Sequence, residues 1–176
     1  MELRNNVIDG NVASGNYAVF MENDLVGVHA INNTLINNTA PPSNQGGLNA
    51  AVFAGAQALI VNNILWANNG RQLSASSTNS TVRNNTISPQ DLTFPDNLSV
   101  APEFSEGIME YGLLGTSPLI DSGITPQRSE PPIPFPEDWT LPVTDFVGKE
   151  RILGETVDIG AVEAIPDRVF FDRFED

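Results

Sequence analysis

Ile60-Val-Asn-Asn-Ile-Leu65 is one of four copies of a short phrase, the others being Leu3-Arg-Asn-Asn-Val-Ile8, Ala30-Ile-Asn-Asn-Thr-Leu35 and Val82-Arg-Asn-Asn-Thr-Ile87. Each reads apolar, any, Asn, Asn, any, apolar. The first Asn falls at 5, 32, 62 and 84, so the steps are 27, 30 and 22 residues. Recurrence at that period marks an architecture of stacked coils, in which each repeat buries its apolar face against its neighbours. Side chains alternate along a strand, so Leu3, Ala30, Ile60 and Val82 share an inward parity with the first Asn of each pair. The pair itself suits a bend, because Asn tolerates the left-handed backbone and bonds its own main chain. The inward face resumes at Ile8, Leu35, Leu65 and Ile87.

If the copies stack at a strand spacing of roughly 4.8 Å, equivalent Asn side chains stack with them. The parity predicts an inward ladder of Asn5, Asn32, Asn62 and Asn84, each amide donating to one neighbour and accepting from the other. It turns Asn6, Asn33, Asn63 and Asn85 outward. Ala18-Val-Phe20, Ala51-Val-Phe53 and the weaker Leu73-Ser-Ala75 supply a third strand per coil, and Ala40-Pro-Pro-Ser-Asn-Gln-Gly-Gly47 is an insertion in a turn. The expected fold class is all-β, a parallel β-helix of about three to four coils. Over residues 1–90 the repeated phrase resembles the right-handed parallel β-helix repeat proteins of the pectin-lyase-like superfamily. An Asn-rich β-sandwich is the competing reading, but it does not require strict repetition.

The chain has 176 residues, a net charge of −14 and no Cys. Every Asn lies at or before Asn97. Residues 1–100 carry three basic and six acidic residues, a net of −3; residues 101–176 carry five and sixteen, a net of −11. That acidity repels phosphates and argues against a nucleic-acid partner. Without Cys there is no disulfide or thiol chemistry. His29 has no His or Cys near it and reads as an ordinary strand residue, so neither a metal nor a cofactor is expected. No run of ~18 apolar residues is present to span a membrane. Met1 runs directly into a repeat copy, with no signal peptide or capping element before it. The expectation is that upstream coils belong to a longer reading frame. The sequons at Asn32 and Asn84 fall inside the phrase, where a ladder accounts for them better than glycosylation.

Past Pro89 the repeat stops. Phe94, Phe104, Tyr111 and Leu113-Leu114 suggest short strands among loops, and a Pro-rich stretch runs from Thr125 to Pro142. Three phrases occur in order: Ser117-Pro-Leu-Ile-Asp-Ser-Gly123, Thr144-Asp-Phe-Val-Gly-Lys-Glu-Arg151 and Val157-Asp-Ile-Gly-Ala-Val-Glu163. Together they resemble the choice-of-anchor Q domain, which ends many bacterial surface and secreted β-helix proteins. The Pro-rich stretch between the first and second phrases departs from that pattern. The resemblance implies an extracellular or cell-surface location rather than a reaction. Residues 164–176 form a tail similar to a short Asp-Gly-Phe-Glu sorting ending, with Arg173 in place of Gly. The expected organisation is coils over 1–90, a choice-of-anchor-Q-like segment over 91–163 docked on their side, and the tail. Ile36 and Trp66 sit on the outer parity beside Asp9 and Ser88, which makes them the expected docking strip.

Asp121, Asp145, Arg151, Asp158 and Glu163 read as a structural charge network, with Arg151 bridging carboxylates. A lyase needs a base and a cation beside the uronate, and a glycosidase needs two carboxylates at a set separation. In the coils only Glu22 and Asp24 lie close together, with no basic residue beside them, so no catalytic residue is assigned. Sugar platforms need exposed aromatics, which makes Tyr17, Trp66 and Trp139 the carbohydrate-binding candidates alongside Glu22 and Asp24. The expected function is a non-catalytic scaffold facing a polysaccharide or a cell-surface component. The alternative is a piece of a polysaccharide lyase or glycoside hydrolase with its active site in upstream coils.

Overall fold

The computed structural model describes residues 1–15, 17–23, 27–40, 46–52, 56–89, 93–105, 111–126 and 139–165. Eleven strands are found among them: β1 Glu2–Arg4, β2 Val7–Asp9, β3 Val19–Asn23, β4 Val28–Ile31, β5 Thr34–Ile36, β6 Leu48–Val52, β7 Ala58–Val61, β8 Ile64–Trp66, β9 Leu73–Ala75, β10 Ser80–Arg83 and β11 Thr86–Ile87. They form three parallel sheets, ordered β1-β4-β7-β10, β2-β5-β8-β11 and β3-β6-β9. Successive coils therefore lay one strand each onto the same three walls, which gives an all-β, β-helix-like stack. No helix among the described residues is long and apolar enough to cross a membrane.

The register is that of the repeated phrase. Leu3 pairs with Ala30, Ala30 with Ile60 and Val82 with Ile60. After the bend Ile8 pairs with Leu35, Leu35 with Leu65 and Ile87 with Leu65. These residues line one interior cluster with Met21, Leu48, Ala50 and Leu73 from the third wall, and Phe94 closes its far end. The third wall differs from the expectation in register. Val19 pairs with Leu48 and Leu48 with Leu73, so β6 begins at Leu48, before Ala51-Val-Phe53. Inward alternation of Leu48, Ala50 and Val52 sets that register, since a one-residue slip would turn all three to solvent.

Beyond β11 the described chain has no further strand, only isolated bridges such as Phe104 with Leu113 and Thr144 with Glu150. This segment lies against the outside of two walls. Leu113, Leu119 and Ile159 pack on Ile36, Ile64 and Trp66 over the second wall, with Phe104 and Tyr111 at the margin. Trp139, Ile124 and Leu141 pack on Ile31, Leu59 and Val61 over the first. Ile36 and Trp66 are thus the docking strip that their outer parity implies.

Candidate functional site

The bend in each phrase depends on one left-handed residue. Asn5, Asn32, Asn62 and Asn84 have φ between 51° and 58°. A left-handed residue breaks the alternation of the strand, so the inward parity passes to the next residue. This corrects the expected ladder: the second Asn of each pair points in. Asn33 Oδ1 accepts from the backbone N and the Nδ2 of Asn6 at 3.0 and 3.2 Å. Asn63 Oδ1 accepts likewise from Asn33 at 2.9 and 2.8 Å, and Asn85 Oδ1 from Asn63 at 2.8 Å for both. Asn97 ends the column, accepting from Asn85 at 3.0 and 2.7 Å.

A second ladder stands five residues on. Gly10, Asn37 and Ala67 are left-handed, and each is followed by an Asn that points in. Asn38 Oδ1 accepts from Asn11, Asn68 Oδ1 from Asn38, and Gln72 Oε1 from Asn68. The same unit, a left-handed residue and then an inward amide, turns two corners of each of the first three coils. The Asn five residues after the second Asn of the first three phrases, at 11, 38 and 68, carried that signal, hidden because Gly10 and Ala67 break the Asn-Asn spelling.

The first Asn of each pair faces outward, where it holds the C-terminal segment. Asn5 Nδ2 donates to the Thr144 carbonyl. Asn32 Nδ2 donates to the carbonyls of Asp158 and Gly160 at 3.0 and 3.3 Å. Asn62 donates to the Ile124 carbonyl and accepts from its N–H, both at 2.9 Å, and Asn84 donates to Ser122 at 3.1 Å. A long contact of 3.5 Å between Asn62 Nδ2 and Asn32 Oδ1 links these side chains to each other. Thr34 Oγ1 adds a bond from the Ala161 N–H. Gly160 approaches so closely that a Cβ there would lie 2.6 Å from Ile64 Cδ1.

Asn62→Gly keeps the left-handed bend and removes the clasp on Ile124 together with the long contact to Asn32 Oδ1. It is expected to cost about 1–2 kcal/mol, two modest hydrogen bonds. Asn62→Ala is expected to cost roughly 1–2 kcal/mol more, because Ala is strained where Gly is not. Urea unfolding of the two variants measures both steps; equal losses would remove the bend from the account.

The acidic phrases close on one guanidinium. Arg151 is 2% exposed, with its Nε 3.2 Å from Glu163 Oε1 and its other nitrogens donating to the carbonyls of Ala161, Asp158 and Gly160. Asp158 accepts from the N–H groups of Asp121 and Ala164 at 2.8 and 2.7 Å. Asp145 accepts from Val147, Lys149 and Glu163, and Asp121 from Thr156. Burial pushes the Glu163 carboxyl up to about 8 and raises Asp158 as well. These oxygens are engaged by main-chain donors, which is the geometry of a folded knot. Among the described residues no group of three or more His, Cys, Asp or Glu is arranged to hold a metal ion.

The described sugar-binding candidates do not form one site: Trp66 and Trp139 lie on different walls from Glu22. Trp139 is 5% exposed beneath the segment it belongs to, and Trp66 is half-buried against Leu113 and Leu119. Tyr17 is half-buried and stacks on Phe20, ring centroids 6.3 Å apart at 26°. Phe20 is 54% exposed, and Glu22 is exposed two residues further along β3. Asp24 lies outside the described residues, as do residues 166–176 of the tail. Phe20 was the aromatic missed from sequence, since the strand Ala18-Val-Phe20 could equally have faced it inward. His29 lies on the outside of β4, 3.4 Å from Glu2 Oε1, and burial lowers its imidazole below the ordinary value. Compared with protein-family models, curated proteins and solved structures, the chain matches none.

Proposed function

We propose that this chain is a non-catalytic scaffold in a secreted or surface-attached bacterial protein, built as a right-handed parallel β-helix of the pectin-lyase-like kind and ending in a choice-of-anchor Q domain. Its third wall faces a glycan or a surface partner. The observation that carries the reading is the uneven covering of the walls. The C-terminal segment packs apolar residues on the first and second walls. On the third, Phe20 and Glu22 stand out from β3 beside Asn49 and Ala51 of β6. An aromatic pair at the edge of a shallow polar sheet suits the apolar face and hydroxyls of a sugar ring. A net charge of −14 disfavours polyuronates and favours neutral glycans.

The test is a glycan array followed by calorimetry on the strongest hits. Neutral oligosaccharides are expected to bind, with Phe20→Ala weakening them by about tenfold, the loss of one stacking contact. No binding, or binding unchanged in Phe20→Ala, would refute the platform. Release of unsaturated product from polygalacturonate or alginate, abolished by Glu22→Gln, would replace the scaffold with an enzyme.

A further inference from the structure

Asn69 is the one Asn in the sequence that precedes a Gly. The pair stands at the tip of the loop that leads from the second ladder into β9. Gln72 clasps that loop from within. Its Oε1 accepts from the backbone N and the Nδ2 of Asn68, and its Nε2 donates to the carbonyls of Asn68 and Gly70. Asn69 is half-buried, whereas Gly70 is exposed and holds φ at 72°. The Asn69 amide turns back onto the preceding coil, where its Oδ1 accepts from the Ala40 N–H at 3.0 Å. Across the loop, the Gly46 N–H donates to the Asn69 carbonyl at 2.8 Å, Gly47 to that of Arg71 at 3.2 Å and Leu48 to that of Gln72 at 2.9 Å. The approach has no slack: a Cβ at Gly47 would lie 1.9 Å from the Gln72 carbonyl oxygen.

We propose that Asn69-Gly70 is a site of spontaneous covalent modification, where the Asn69 amide is lost through a succinimide and the loop that opens onto the third wall is altered. The Gly70 nitrogen gives up its proton and bonds to Asn69 Cγ. Negative charge gathers on Oδ1, where the Ala40 N–H donates as an oxyanion donor does. The bond from Cγ to Nδ2 then breaks, and Nδ2 leaves with the proton as ammonia. Water opens the five-membered ring at either carbonyl. Opening at Cγ gives aspartate; opening at the main-chain carbonyl gives isoaspartate, whose main chain runs through Cβ and is one carbon longer. Water enters, ammonia leaves, one negative charge is gained and nothing is oxidised or reduced. A glycine nitrogen suits the attack because no side chain crowds it. The ladder residues Asn33, Asn63 and Asn85 instead precede Thr34, Ile64 and Thr86, whose branched Cβ shields the nitrogen. In the aspartate product the carboxylate still accepts from Ala40. In the isoaspartate product the longer loop displaces the Asn69 carbonyl, and the start of β6 loosens from β9.

The full chain is incubated at neutral pH, folded and in parallel unfolded in guanidinium chloride, and peptide mass spectrometry follows each Asn with time. In the folded chain Asn69 is expected to convert at least about tenfold faster than any other Asn, and no more slowly than in the unfolded chain. Asn69 retained in the folded chain, whether or not the unfolded chain converts, would overturn the proposal, as would another Asn converting first. The isoaspartyl form is then separated by chromatography and compared with the parent and with Asn69→Asp by hydrogen exchange. The amides of Gly47 and Leu48 are expected to exchange at least about tenfold faster in the isoaspartyl form and at the parent rate in Asn69→Asp. Amides of β7 and β8 report that each protein is folded. Equal protection of Gly47 and Leu48 in all three would overturn the effect on the third wall.

Discussion

Asn63→Ala is expected to cost about 3–4 kcal/mol, more than Asn62→Gly at the outward Asn of the same pair. Asn63 is fully buried at the centre of the first ladder. Its Oδ1 accepts two bonds from Asn33, and its Nδ2 donates to the carbonyls of Ala30 and Val61 and to Asn85 Oδ1. Alanine leaves the buried Asn33 N–H without its acceptor and strips one bond each from the Asn33 amide and the Ala30 and Val61 carbonyls, and an unpaired buried group carries a desolvation penalty of about 1–3 kcal/mol, partly relieved by relaxation. Asn62→Gly, one residue away and equally buried, removes fewer bonds and preserves the bend. Urea unfolding of both variants decides the matter: a loss in Asn63→Ala no larger than in Asn62→Gly would return the ladder to the first Asn.

Arg151→Met is expected to cost about 3–5 kcal/mol, as when one partner of a buried ion pair is removed. Asp145, Asp158 and Glu163 are each at most 4% exposed and face this one guanidinium. Without it these carboxyls keep only their main-chain donors. The excess of acid over base in the knot also gives a pH dependence. Glu163 titrates near 4.5 in the unfolded chain and near 8 when folded, because burial disfavours its charge. Its folded form therefore binds the proton more tightly. The stability it contributes is fully present below about 4.5, declines as pH rises, and is gone above about 8. Asp158, also raised, acts in the same direction. Burial lowers the Arg151 guanidinium below its ordinary value, opposed by the carboxyls of Glu163, Asp145 and Asp158. The urea midpoint is expected to fall between pH 5 and pH 8. Glu163→Gln should flatten most of that slope and leave the variant more stable than wild type at pH 8. A midpoint that rises with pH, or a slope unchanged by Glu163→Gln, would mean that Glu163 is an ionised partner of Arg151 across the whole range.

The phrase Ile60-Val-Asn-Asn-Ile-Leu65 and its copies determined, without coordinates, that the chain stacks in parallel coils, which apolar residues share a register and that amides form a ladder. Periodicity carries that information because apolar burial repeats wherever the coil repeats. The outer parity of Ile36 and Trp66 likewise marked the side on which the later segment lies, and Arg151 was legible as the bridge among its carboxylates. Which Asn faces in was not legible. Alternation assumes extended backbone, and one left-handed residue at φ near 55° reverses it, so parity counting placed Asn62 where Asn63 belongs. The second ladder escaped for a related reason: Gly10, Asn37 and Ala67 share a conformation and not a residue type. The burial of Trp139 against Ile31, Leu59 and Val61, and the exposure of Phe20, depend on which wall the C-terminal segment covers. Only the tertiary structure decides that, because it rests on contacts between residues separated by most of the chain, for which no local pattern exists.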